Sequence, residues 1–261
     1  MTLEFTFSYK KDSGLAISAD ELIGRYLFGI PLCTQNGTQI SYSDLETHIR
    51  NAQLYVEKMF DIKLRKQIID EKIDFDFDQW KAWGSIKTSY FVKKVLKLVG
   101  LIGTVQQTIY PTEWTSTYQI NDEYMLYRNV YIVPSGTGSP SNNASVVYLG
   151  VTPHLGFYGN NWVPNYWNIA YCTGFDKIPG DLIDVIAKYA SIAILNILGD
   201  VLIAPGVASK SLSFDGFSQS LSTTASSGGL FGSRIRQYTT ELESQTKTLK
   251  DWYKGLQFSY V

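Results

Sequence analysis

At 261 residues and 44% hydrophobic side chains, the chain can bury a full core, as one large domain or two small ones, and has the balance of a soluble globular protein. A formal net charge of −1 argues against a sequence reader or a tight non-specific binder of nucleic acid, leaving room only for weak or transient contact with DNA. Cys33 and Cys172 lie too far apart in sequence to read as a disulfide framework, which suits a reducing compartment, and Met1–Lys11 lacks the charged-then-apolar pattern of a secretion signal.

Ser18-Ala-Asp-Glu21 reads as a capping box, with Ile17 and Leu22 placed to staple it. The short helix it opens turns Leu22, Ile23, Tyr26 and Leu27 inward and ends at Gly29 and Pro31. A second box, Ser43-Asp-Leu-Glu46, opens a longer helix, in which Leu45, Ile49, Ala52, Val56 and Met59 recur at helical spacing. From about Arg65 the period changes. Ile73, Phe75 and Phe77 alternate with Asp74, Asp76 and Asp78, as in a strand with one wet face. Strand-like runs follow at Ile86–Val92, Val95–Val99, Val105–Tyr110, Tyr124–Tyr127, Val130–Val133, Val146–Leu149 and Tyr166–Tyr171. Ser135–Ser145 reads as an exposed loop, and a Gly/Pro/Asn-rich loop carries Phe157, Tyr158 and Trp162.

Pro179 precedes an apolar helix at Asp181–Leu198, closed by Gly199. It is apolar all round, so it is either central to its domain or buried by a partner. Asp184, Lys188 and Asn196 make it a poor lone membrane span. The Ser/Gly/Thr-rich segment Ala208–Gly229 reads as an extended arm, or as a hairpin turning at Asp215-Gly216; the two are compatible. In the last helix Ile235, Tyr238, Leu242, Gln245, Leu249 and Trp252 form a heptad seam with one polar break. The tail, Leu256–Val261, is strand-like or frayed. The expected class is α+β: a helical core from the N- and C-terminal helices, an inserted β-rich domain and the arm. The boundaries are 1–64, 65–170, 171–202, 203–229 and 230–261.

Chemistry is hard to find. His48 and His154 are the only histidines, no Gly-x-Ser-x-Gly elbow is present, and neither cysteine has a partner at metal-ligand spacing. Asp74, Asp76 and Asp78 start like a calcium loop, but Gln79 and Ser85 stand where Gly and Glu are required. Gly100-Leu-Ile-Gly103 and Gly136-Thr-Gly138 lack the context of a phosphate-binding loop. No cofactor, metal or catalytic residue is expected.

One set of blocks stands in a telling order. It runs Tyr166-Trp-Asn-Ile-Ala-Tyr171, Gly174-Phe175, Ile178-Pro179, Leu198-Gly-Asp200, Ser213-Phe-Asp-Gly-Phe-Ser-Gln-Ser220, Thr223-Thr-Ala-Ser226, Arg234-Ile235 and Trp252-Tyr-Lys-Gly255. This order resembles the head–tail connector (adaptor) proteins of tailed bacteriophages. Ala52-Gln-Leu-Tyr-Val-Glu57 is similar to part of the family's opening helices. The β-rich insert departs from the family's compact helical members.

The resemblance implies a non-enzymatic virion protein, made in the host cytoplasm. It would form a ring beneath the portal with the portal's roughly twelvefold symmetry. The ring would join the capsid to neck or tail-completion proteins and pass DNA through its lumen without sequence recognition, with no membrane partner. Candidate subunit or portal contacts are Ser213, Phe214, Asp215, Gly216, Phe217, Ser218 and Gln219 in the arm. In the last helix they are Ile235, Tyr238, Leu242, Leu249, Trp252 and Tyr253. The alternatives are another neck or tail-completion protein, a carbohydrate- or surface-binding module using Trp80, Trp83, Phe157, Tyr158 and Trp162, or a hydrolase using Asp74, Asp76 and Asp78.

Overall fold

A computed structural model of the protein describes residues 14–33, 39–80, 84–102, 105–117, 127–134, 144–147, 150–153, 161–203, 209–214, 217–222 and 231–253. Within them the fold is α+β, with helices and antiparallel sheets. The chain divides into two compact units. One is Met59–Lys177 with Leu249–Val261; the other is Met1–Lys58 with Ile178–Thr248.

The first unit is built of β-strands. A four-stranded antiparallel sheet runs in the order β1 (Gln67–Asp76), β9 (Trp162–Thr173), β3 (Lys94–Ile102), β4 (Val105–Tyr110). A three-stranded sheet runs β2 (Ser85–Lys87), β6 (Asn129–Ile132), β5 (Thr115–Thr117), and β7 (Ala144–Val147) pairs with β8 (Gly150–Pro153). β-branched and aromatic side chains on alternate positions give both larger sheets an apolar face. One core takes Phe75, Leu98, Tyr110, Trp167, Ile169 and Tyr171 from the four-stranded sheet and Ile86, Val130 and Ile132 from the three-stranded one.

The aromatic centre of this core depends on a bulge. The β1–β9 register shifts between Ile73 and Phe75, and Asn165 takes a left-handed φ of 52°. Asp74 Oδ1 fixes the bulge by accepting from Asn165 N at 2.7 Å. Such a bulge re-aims neighbouring side chains. Tyr166 and Trp167 are consecutive yet both buried, with ring centroids 4.8 Å apart. Gly100 is required opposite them, because a Cβ there would strike the Tyr166 ring.

Two strand expectations are corrected here. The alternation through Phe77 does not continue as strand: β1 ends at Asp76 and Phe77–Trp80 is a 3-10 turn. Asp76 Oδ1 accepts from Asp78 N at 3.0 Å, so the side chain favours the turn. The run Ile86–Val92 is strand only to Lys87. Thr88 Oγ1 shares its one proton between the carbonyls of Tyr90 and Arg128 (2.6 and 2.8 Å) where the chain turns.

The second unit is helical. It holds α1 (Ala19–Arg25), α3 (Gly180–Ile203), and the larger parts of α2 (Tyr42–Phe60) and α4 (Gly232–Tyr253). It also holds a hairpin of β10 (Ser209–Phe214) and β11 (Phe217–Ser222). Ser18 caps α1, accepting from Glu21 N at 3.2 Å, and Ile17 and Leu22 are buried. The cap of α2 is Ser41, not Ser43: Ser41 Oγ accepts from Asp44 N, and Ser43 already lies in the helix, its carbonyl accepting from Thr47 Oγ1. Leu45, Ile49, Ala52 and Val56 are buried. α3 runs through Gly199 to Ile203, because one glycine weakens a helix without ending it.

α3 is apolar all round, with mean hydropathy 1.7 over Gly180–Gly199, long and apolar enough to cross a membrane. Here it is mainly a core helix. Leu182, Val185, Ile186, Ala190, Ile194 and Leu198 are buried. The helical stripe Tyr189, Ala193 and Ile197 is left part-covered, with Ile197 46% exposed.

Candidate functional site

The densest polar cluster lies in the helical unit, where α1, α3 and α4 meet. α3 supplies Asp184 and Lys188, one turn apart; α4 supplies Glu241 and Gln245, also one turn apart, so each pair lies on one face of its helix. Lys188 Nζ donates to Asp184 Oδ2 (2.8 Å), Glu241 Oε2 (2.8 Å) and Gln245 Oε1 (3.2 Å). These contacts use all three ammonium donors. Asp184 Oδ2 also accepts from Gln245 Nε2 at 2.9 Å, and its Oδ1 accepts from Tyr26 OH at 2.8 Å. Gln237 Nε2 steadies Glu241 Oε1 at 2.9 Å.

The electrostatics follow from this saturation. Burial alone would push the Asp184 carboxyl up, but donors from Lys188, Gln245 and Tyr26 together hold it below the usual range. Burial alone would pull Lys188 down, but its two carboxylate partners hold it above the usual range. The hydrogen bond from Lys188 depresses Glu241, and burial followed by the bond to Asp184 raises Tyr26. Each shift moves away from neutrality. A general acid or base needs a pKa drawn toward the working pH. At neutral pH the cluster is a charged clamp between helices.

The clamp was only half visible in the sequence. Asp184 and Lys188 stood out in an apolar helix, and Gln245 as the polar break of the last seam. The geometry joins these anomalies: the break exists because Gln245 faces buried Lys188 and half-buried Asp184. A polar position in apolar α3 and another in the apolar seam of α4 were the available signal.

The expected contact residues of α4 separate into three groups. Ile235, Leu242 and Tyr253 are buried within the chain. Tyr238 and Leu249 are half-buried, and Tyr238 OH donates to the Tyr26 carbonyl at 2.8 Å. Trp252 is 44% exposed. The seam drifts at its end because an α-helix repeats every 3.6 residues, not every 3.5, so Tyr253 faces inward in place of Trp252.

In the arm, Ser213 and Phe214 end β10, and Phe217, Ser218 and Gln219 begin β11; Phe214 pairs with Phe217. Asp215 and Gly216 lie outside the described residues, as do Trp83, His154, Phe157 and Tyr158. The hairpin is a two-stranded sheet of its own among the described residues.

The remaining candidates scatter. Asp74 and Asp76 serve the bulge and the turn described above. Trp162 begins β9 and is 60% exposed. Among the described residues, no group of three His, Cys, Asp or Glu side chains is placed to hold a metal. Both cysteines are free thiols. His48, on α2, lines an open groove of about 300 Å³ with Ile40, Asp44, Thr47, Ile194 and Ile197. No protein-family model matches this chain, and no curated protein matches it.

Proposed function

We propose that the chain is a structural subunit of a tailed-phage virion, a head-to-tail connector that assembles as a ring beneath the portal. In this reading the helical unit is the body of the subunit, the β unit is its insert, and the Ser-rich segment is an arm that grips the neighbouring copy. DNA passes through the lumen and is not read.

The observation that carries this reading is the hairpin. A two-stranded hairpin is marginal in water and needs a third strand or a packing partner. β10 and β11 pair only with each other among the described residues. Their sequence is serine-rich, with few large apolar side chains to cover one another. A neighbouring subunit would supply the missing surface, giving the heterologous contact that a ring requires. The saturated clamp adds to this reading, since its groups are committed to holding helices. With Ile235, Leu242 and Tyr253 buried, the proposed neighbour contacts narrow to the hairpin and Trp252.

Imaging of the particles that contain this chain tests the proposal. Ring density of this mass at the portal-proximal neck is the expected result; absence of the chain from the neck overturns it. Hydrogen exchange adds a second reading. The hairpin amides should gain protection on assembly, and equal protection in free subunit and particle counts against the arm.

A further inference from the structure

We infer that Phe28 of one copy of this chain seats in the α2–α3 groove of the next, making a head-to-tail contact. The inference deepens the self-assembly part of the reading above and rests on it. Phe28 is the most exposed large hydrophobic residue described, at 75%. It does not sit on a loose end. Gly29 closes the turn with φ 76°, and Ile30 N donates to the Leu27 carbonyl at 3.1 Å. Arg234 donates to the Phe28 carbonyl at 3.1 Å, and Tyr238 to the Tyr26 carbonyl at 2.8 Å. Tyr26 is in turn anchored on Asp184. The ring is thus presented by a turn that α3 and α4 hold. A rigid exposed aromatic loses little freedom on docking, which makes it an anchor.

The groove has matching chemistry. Ile40, Ile194 and Ile197 give it apolar walls, and its volume of about 300 Å³ leaves room for one aromatic ring. Ile197 is 46% exposed, so the floor lies open within the chain. Asp44 lines the groove, while the Arg234 guanidinium lies on the Phe28 carbonyl; Arg25, one turn before Phe28, is already paired with Glu21. Anchor and groove therefore carry opposite charges beside their apolar centres. They cannot meet within one copy. The Phe28 turn is tied to α3 near Asp184, and the groove lies about 15–20 Å further along that helix by its rise per residue. A protruding anchor and a distant pocket on the same molecule propagate as a heterologous contact, closing into a ring when the rotation allows.

Sedimentation of the full chain over a concentration series tests this. Phe28→Asp and Ile197→Asp should each weaken association by at least about tenfold. Both should keep the wild-type melting transition and circular dichroism, since both positions are exposed. The two together should cost little more than either alone. In a Cys33→Ser, Cys172→Ser background, a short bis-maleimide should join a Phe28→Cys chain to an Ile197→Cys chain. Neither variant should couple to itself. Unchanged association in the Asp variants, Phe28→Cys self-coupling, or a wild-type chain that stays monomeric overturns the contact. A ring seen in particles despite Phe28→Asp overturns the contact alone and leaves the connector reading standing. Mixed coupling in a chain absent from the neck does the opposite.

Discussion

The β unit and the helical unit solve the same problem by different means. The β unit stores its stability in a dry aromatic cluster. Tyr166, Trp167 and Phe75 lie within edge-to-face or tilted range of one another, and Tyr110 packs on Trp167 at 5.4 Å. The helical unit places a charged clamp between its helices and leaves Phe28, Leu54, Tyr55 and Ile197 exposed. Packing of the first kind ignores pH and salt. A clamp of the second kind fixes which helix faces meet, at the cost of sensitivity to protons. The comparison teaches that the two units differ in how they hold themselves together and not in whether apolar surface is left over, since the β unit also leaves Ile68, Ile109, Trp162 and Trp252 exposed.

That contrast can be broken most directly at Trp167. Trp167→Ala should cost about 3–5 kcal/mol, because a large cavity opens where three rings converge. Segment-resolved hydrogen exchange should show protection lost in β3 and β9 with α3 unaffected. Uniform loss across both units would mean that they do not store stability separately. Lys188→Ala comes next, at about 2 kcal/mol. A fully buried pair costs more to break, but Asp184 and Glu241 touch solvent at 29% and 38% exposure, which screens the loss. Here the exchange should quicken in α3 and α4 and leave β9 alone. Ser18→Ala removes one cap bond and should cost about 1 kcal/mol, read by denaturant titration.

The mildest test is pH. Folded Asp184 and Glu241 titrate below their ordinary values of 3.8 and 4.5, so the unfolded chain takes up protons first. Their contribution is complete above those ordinary values and falls away as pH drops through the depressed ones. Folded Lys188 titrates above its ordinary 10.5, so its contribution is complete below that value and is lost as pH rises past the raised one. Melting of the helical unit should therefore soften at both extremes. The Lys188→Ala variant should show a flatter acid limb, and an unchanged limb would remove the clamp from the account.

Legibility followed the range of the interactions. The apolar faces of α2 and α3 and the cap at Ser18 were readable, because each depends on residues within a turn or two. Even locally there were limits. Ser41 won over Ser43 because α2 begins earlier than its second capping box, and Gly199 failed to stop α3 within a strongly apolar helix. The strand at Ile86–Val92 failed because Thr88 bonds across to Arg128, a partner that no window of sequence contains. The clamp failed for the same reason: Lys188 and Gln245 are 57 residues apart.

By itself, then, the chain's sequence determined its α+β class, its main helices, the period change near Arg65 and the poverty of catalytic motifs. Periodicity and capping are properties of neighbours along the backbone. Tertiary structure alone decided the β1-β9-β3-β4 order, the bulge that turns Tyr166 inward, and the closing of Lys188 on three partners. It also decided which apolar residues stay uncovered, since burial belongs to whatever the fold brings alongside.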